Sequence, residues 1–312
     1  MRIVFYGTPE FAVPSLKGMV ESGYEVAAVV TAPDKPAGRG LLMQHSAVKE
    51  YAMQVGLPVL QPTNMKSPVF ITQLQAIKPD LQVVIAFRMM PEAVWAMPRL
   101  GTFNLHGSFL PQYRGAAPIN RAIMNGETET GLTTFFINHQ IDTGNILLQQ
   151  KIAIAPNETA GQLHDHMMLA GADLVVKSLG MIANGKYQLT QQTEAEDLQH
   201  APKVFKTDCE IDWNKDIQHV FNQIRGLSPY PAAFTSIDGQ QLKIFVAETK
   251  SFESKKNSPG AVETDGKTYF KIAASDGLLD LKDVQLAGKK RLSIVDFLRG
   301  FHAKSAIAGQ GN

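Results

Sequence analysis

Short, continuously apolar runs separated by longer amphipathic stretches set the pattern of the first two thirds of this chain. Ile3 to Tyr6, Glu25 to Thr31 and Leu81 to Phe87 are the clearest runs. Runs that stay apolar at nearly every position, rather than alternate ones, predict strands buried on both faces of a parallel sheet. Helical candidates lie between them. The first follows Gly7-Thr8-Pro9-Glu10, where Thr8 is a candidate cap and Pro9 suits a first helical position, unless the helix begins only near Pro14. Residues 46–55 and Ser67 to Ile77 follow as helices, the latter with Ser67 as its cap, and Pro58-Val59-Leu60 as a short strand. Residues 101–106 read as a strand, and Ile119 to Met124 as a helix opened by Pro118. Thr130 to Ile137 and Ile146 to Ile154 read as strands, and Ala160 to Ala183 as a helix stopped by Asn184-Gly185. This alternation predicts an α/β domain with a mainly parallel, Rossmann-like sheet.

From Gln188 to Thr207 the periodicity gives way to polar residues with Pro202, Lys203 and Lys206. That break predicts a connector over 188–207 between a first domain at 1–187 and a second at 208–312. The second opens at Ile211-Asp212-Trp213, with a helix over Asp216 to Ile224. Five short runs follow, Ala233 to Ile237, Gln241 to Glu248, Gly260 to Val262, Tyr269 to Ala273 and Leu278 to Gln285, divided by turn signals. Short strands at this spacing predict a small antiparallel β-barrel, with Ser293 to Gly300 as a closing helix.

Composition narrows the class without naming a partner. The 312 residues are 44% apolar and 19% charged, an ordinary globular balance, with 30 basic and 29 acidic side chains. Residues 1–200 carry a net charge of −2 and 201–312 one of +3, a weak basic bias in the second part. One cysteine, Cys209, excludes an intrachain disulfide and a multi-cysteine metal site, and suits a reducing cytoplasm. The first residues enter a strand directly, without a signal-peptide pattern. No stretch reads as the roughly 18 apolar residues that a membrane helix needs. The glycines after the first strand do not form G-x-G-x-x-G, so NAD is not expected.

Candidate chemistry concentrates at residues 101–118. Asn104 and His106 are two apart on a strand and so share a face. An amide donor beside an imidazole suits chemistry at a carbonyl: the amide meets an oxygen gaining charge, and the imidazole moves a proton near neutral pH. Asp142 sits in the turn-forming Ile141-Asp142-Thr143-Gly144-Asn145, where a strand-end loop presents its carboxylate. Taken singly, each of these is more often structural; their combination gives the pattern its weight.

Residues 104–119, Asn-Leu-His-Gly-Ser-Phe-Leu-Pro-Gln-Tyr-Arg-Gly-Ala-Ala-Pro-Ile, closely resemble the signature of the 10-formyltetrahydrofolate-dependent formyltransferases, and Asp142 to Gly144 fits that family's third catalytic position. Pro36-Ala37-Gly38-Arg39-Gly40 resembles the loop with which the methionyl-tRNA branch wedges into the tRNA acceptor arm. Ala201-Pro202-Lys203 and Ile211-Asp212-Trp213 are similar to that branch's carboxyl-terminal, OB-like domain. The resemblance implies formyl transfer from 10-formyltetrahydrofolate to the amino group of methionyl-initiator tRNA, for translation initiation. It implies that Asn104 and His106 stabilise the oxyanion, while Asp142 orients His106 and helps remove the amine proton. It also implies folate contacts at Ser108, Phe109, Leu110 and Pro111, and tRNA contacts at Arg39, Lys203 and Lys206. The expectation is a cytoplasmic monomer with no metal and no membrane association. The chain departs from the family at Leu41 and Leu42, where lysines are frequent, and at Arg88, where glycine is common beside the pterin. Two other readings remain: a formyltransferase for a small amine such as a nucleotide or amino-sugar, and a folate- or RNA-binding regulator without catalysis.

Overall fold

A computed structural model describes residues 1–37, 42–193, 197–251, 257–302 and 307–309. The chain divides into two compact units. One comprises Met1–Gly115, Thr130–Ile152 and His164–His200; the other Ala116–Glu129, Ala153–Leu163 and Ala201–Asn312.

The chain enters through β1 (Arg2–Gly7), α1 (Val13–Glu21), β2 (Glu25–Val30) and the antiparallel pair β3 (Lys35–Ala37) and β4 (Leu42–Gln44). Next come α2 (Ala47–Gln54), β5 (Val59–Leu60), α3 (Pro68–Ile77), β6 (Leu81–Ile85), α4 (Glu92–Trp95) and β7 (Thr102–His106). After the two-residue β8 (Arg114–Gly115) follow α5 (Pro118–Met124), β9 (Glu129–Phe136), β10 (Ile146–Ala153) and α6 (Ala160–Ala183).

Seven strands form the main sheet in the order β10-β9-β7-β6-β1-β2-β5. The pairs from β7 to β5 are parallel, and β9 runs antiparallel to β7. Ile3 to Tyr6 and all of β6 are buried, as expected where helices cover both faces. On one face Val4, Tyr6, Val30 and Val84 join Phe70 and Leu74 of α3 and Val94 of α4. On the other, α6 packs close enough that a Cβ at Gly171 would sit 2.7 Å from Leu105. Contrary to the expectation from the sequence, α6 is by length and composition alone apolar enough to cross a bilayer. Its Leu163, Met167, Leu174, Val175, Leu179 and Ile182 are buried, the spacing of a core-facing helix.

Local backbone chemistry explains the differences from the expected boundaries. Thr8 does not cap: a 3-10 turn at Glu10–Ala12 intervenes, and α1 starts at Val13 with Pro14 in its first turn. Ser67 stands at the N-cap position of α3 without a side-chain hydrogen bond, whereas Ser46 caps α2 by accepting from the Lys49 amide. β6 ends two residues early because Ala86 turns the chain at φ 47°.

β11 (His200–Ala201) spans the boundary at which the chain passes to the second unit, where α7 (Ile217–Leu227) is capped by Asp216, which accepts from the His219 amide at 2.7 Å. Then come β12 (Ala233–Ile237), β13 (Gln240–Lys250), β14 (Val262–Thr264), β15 (Phe270–Ala273), β16 (Leu278–Leu286), β17 (Leu292–Ser293) and α8 (Ile294–Leu298). They form a curled antiparallel sheet in the order β12-β13-β16-β15-β14, with β17 on β16. Register shifts around Val246 bend β13 where it pairs with β16, as bulges do. Val220, Phe221, Ile224 and Leu227 of α7 fill the core beneath it. Asn120 of α5 donates to the Gly226 carbonyl at 2.7 Å, so that early helix packs with this unit. The basic run at 289–291 is partly committed: Arg291 pairs with Asp283 and stacks on Phe245, 4.2 Å from its ring centroid.

Candidate active site

The candidate residues gather toward the carboxyl ends of the parallel strands, where open α/β folds place ligands. β7 ends there, and its register sets Asn104 between Val84 of β6 and Phe135 of β9, with His106 two residues on, opposite Thr133. Asn104 is half-buried and His106 is 6% exposed. Among the described residues nothing hydrogen-bonds to the Asn104 carboxamide, so its NH2 is free to donate.

His106 is held by a group that sequence reasoning missed. Its Nε2 lies 2.9 Å from the Tyr113 carbonyl oxygen. A carbonyl only accepts, so Nε2 carries a proton and Nδ1 is the basic atom of the neutral ring. Nδ1 faces Asp142 Oδ2 at 3.8 Å, beyond a direct hydrogen bond. Tyr113 itself adopts φ 61°, which turns its carbonyl back toward the strand end. Edge-on contact with Phe135, ring centroids 6.5 Å apart, closes the other side of the imidazole.

Asp142 is equally well fixed. Its Oδ2 accepts from the Gly115 amide at 2.9 Å, and its backbone is left-handed at φ 56°. Gln192 clamps the loop: its Nε2 donates to the carbonyls of Asp142 and Gly144 at 2.9 and 2.8 Å. Its Oε1 accepts from Arg114 Nε and Nη2 at 3.0 and 2.8 Å. Gly144 is obligatory, because a Cβ there would sit 1.7 Å from the Phe136 carbonyl oxygen. Arg114 falls within the 104–119 signature, but no local motif announces its partner Gln192, 78 residues away.

The four expected folate residues divide into two kinds. Ser108 and Leu110 are buried, and their polar groups are spent internally. Ser108 Oγ donates to the Gln112 carbonyl at 2.5 Å; Thr133 Oγ1 donates to the Ser108 carbonyl and accepts from the Leu110 amide; Gln149 donates to the Leu110 carbonyl. Phe109 and Pro111 are half-buried and offer apolar surface, with Lys151 Nζ 5.6 Å from the Phe109 ring centroid. Arg88 donates to the Thr63 and Pro62 carbonyls, so this departure from the family pattern anchors the chain beyond β5. Among the described residues, no group of three or more His, Cys, Asp or Glu side chains is placed to hold a metal ion.

Of the expected tRNA contacts, Arg39 lies outside the described residues, between β3 and β4. The foot of that hairpin is tied down: Asp34, just before β3, accepts from Lys49 at 2.5 Å and from Gln61 at 2.8 Å, with His45 at 3.1 Å. The Lys49 bond, then Gln61 and His45, pull the Asp34 carboxyl down to about 2. Lys203 and Lys206 are both exposed in the second unit, Lys203 beside the exposed Phe205 ring. Arg121 holds their segment through the Pro202 and Lys203 carbonyls and Asp208.

Comparison with known proteins covers both units. The family model described as "Formyl transferase" matches residues 1–179, and that described as "Formyl transferase, C-terminal domain" matches 203–302. The methionyl-tRNA formyltransferase of Parabacteroides distasonis is 51% identical over 310 residues, covering 96% of each chain. That of Bacteroides fragilis is 50% identical over 316 residues, covering 98% of this chain and 97% of its own. Among solved structures, the sugar 3N-formyl transferase WlaRD superposes with a TM-score of 0.69 at 23% identity, covering 93% of this chain and 99% of its own. The methionyl-tRNA formyltransferase from Clostridium thermocellum superposes at 0.57 and 17%, covering 80% and 94%.

Proposed function

Because the chain belongs to the formyl transferase family over both matched segments, we infer that it transfers the formyl group of 10-formyltetrahydrofolate to the amino group of methionyl-tRNA. The observation that carries this is the likeness to methionyl-tRNA formyltransferases, which extends through the second unit as well as the first. The acceptor is the initiator tRNA, and the product, N-formylmethionyl-tRNA, serves translation initiation in the cytoplasm.

The formyl donor is a substrate consumed in the reaction, and the protein supplies orientation and electrostatics. The neutral amine forms a bond to the formyl carbon, the carbonyl oxygen takes up charge, and collapse breaks the bond from that carbon to the folate nitrogen. Asn104 donates its free NH2 to the charging oxygen. Removing a preorganised donor of this kind costs about 10²–10³ in rate, roughly 3–4 kcal/mol. With its Nε2 proton on the Tyr113 carbonyl, His106 receives the amine proton at Nδ1, and Asp142 stabilises the imidazolium so formed. That proton is passed on to the departing folate nitrogen, so charge and atoms balance. The half-buried Phe109 and Pro111 give the folate an apolar wall, while Ser108 and Leu110 keep the turn in shape.

Single-turnover transfer of labelled formyl to methionyl-initiator tRNA, methionyl-elongator tRNA and glycinamide ribonucleotide tests the reading. Preference for the initiator is the expected result. Transfer only to the small amine would replace the acceptor, and no transfer from folded, folate-binding protein would favour a regulator.

A further inference from the structure

The second unit contains a cavity of about 380 Å³ that the transfer chemistry does not use. α7 contributes Phe221 and Arg225 to its lining, β13 contributes Phe245 through Lys250, and Asn157 and Thr159 complete it. Arg225 is 6% exposed, yet its hydrogen-bond partners are neutral. Nε donates to Asn222 Oδ1 at 2.9 Å, and one terminal nitrogen, Nη1, donates to the Glu158 carbonyl at 3.3 Å. Among the described residues no carboxylate lies within ion-pair distance of the guanidinium, and Nη2 has no acceptor. Burial pushes its pKa below the ordinary arginine value, opposed by the more distant Glu158 carboxylate.

The other charges around the cavity are already matched. Glu248 lies between Lys250 at 3.2 Å and Lys282 at 3.4 Å, and Lys282 also pairs with Asp280 at 2.7 Å. Among the described residues around the cavity, Arg225 is therefore the cation left without a counter-ion, and a buried guanidinium in that state calls for an anion. Its free edge suits phosphate oxygens. The rest of the lining, with the rings of Phe221 and Phe245 and the 40%-exposed Val246, is an apolar wall at the scale of a small-molecule site.

We propose that this cavity binds a nucleotide through its phosphate, with Arg225 as the phosphate ligand and the Phe221, Phe245 and Val246 wall receiving the base or sugar. The source of that nucleotide, resting on the functional reading above, is an unpaired residue of the RNA acceptor. The site therefore contributes affinity for the RNA and leaves the transfer step unchanged.

Two variants test this, with AMP and methionyl-tRNA as probes. Arg225→Gln removes the charge; Val246→Glu keeps Arg225 but places a competing carboxylate on an exposed residue of the same cavity wall, and so covers the case in which the first variant misfolds. The expected result is about tenfold weaker binding of methionyl-tRNA in each, a salt slope lower by about one in Arg225→Gln, and an unchanged single-turnover rate at saturating tRNA. AMP should protect wild type against thermal unfolding and protect neither variant. Folded variants that bind tRNA and AMP as wild type does would overturn the proposal. AMP binding lost with tRNA affinity intact would overturn the RNA source. A wild-type protein that holds AMP through Arg225 but transfers no formyl to any tRNA would refute the functional reading, not the cavity's phosphate chemistry.

Discussion

Replacing Gln192 by Ala removes a side chain that ties the backbone of the Asp142 loop to Arg114 in the candidate site. Four hydrogen bonds vanish: two donated to the Asp142 and Gly144 carbonyls and two accepted from Arg114. Neutral bonds contribute about 0.5–1.5 kcal/mol each and bonds to a charged group about 1.5–3. The four are mutually dependent, and water can refill the space left by a side chain this size, so the expected loss of stability is about 3 kcal/mol rather than the full sum. The rate should fall further than stability alone explains. Asp142 loses its backbone anchor, and misplacement of a reacting group by about 1 Å costs on the order of 10²-fold. Gln192→Glu separates the two effects: its carboxylate can still accept from Arg114, but it cannot donate to the two carbonyls. It should unfold within a few degrees of wild type and still lose most of the single-turnover rate. The assays are thermal unfolding and single-turnover formyl transfer at saturating substrates. A wild-type transfer rate in Gln192→Ala would refute the clamp.

Gly144→Ala should unfold or displace the Asp142 loop, because its Cβ would meet the Phe136 carbonyl oxygen at 1.7 Å; a melting temperature and rate both equal to wild type would contradict this. Asp34 has a depressed pKa, so its stabilising effect is present above the ordinary carboxylate range and is lost as pH falls through about 2. Asp34→Asn should accordingly be less stable than wild type at pH 7, with the gap closing between about pH 4 and 2, followed by denaturant unfolding across that range. The rate of Asp142→Asn should drop and its pH profile change shape, since the imidazolium at His106 loses its counter-charge; an unaltered profile would remove that role.

The sheet was legible because strands such as Ile3 to Tyr6 and Leu81 to Ile85 are buried on both faces and so are continuously apolar. Four strand runs of the second unit were legible for another reason, the Gly- and Asp-rich turns that separate them, whereas the expected run Gly260 to Val262 meets its strand, Val262–Thr264, only at Val262. That Asn104 and His106 share a strand was visible from their spacing. Their supports were not. The Tyr113 carbonyl that fixes His106 is a backbone group, invisible to side-chain patterns, and it depends on a left-handed residue that is not glycine. The Gln192 clamp bridges positions 114, 142 and 144, a distance in sequence that no local window spans. Ala86 shows the same limit: an apolar residue that continues the β6 pattern turns the chain instead.

The most direct test of the site is the single-turnover rate of formyl transfer to methionyl-initiator tRNA by Asn104→Ala beside wild type, with tetrahydrofolate affinity and melting temperature measured on the same samples. The account predicts a rate lower by about 10²–10³ with both controls unchanged. A wild-type rate from the variant would contradict it, because the charging oxygen would then owe nothing to the Asn104 amide.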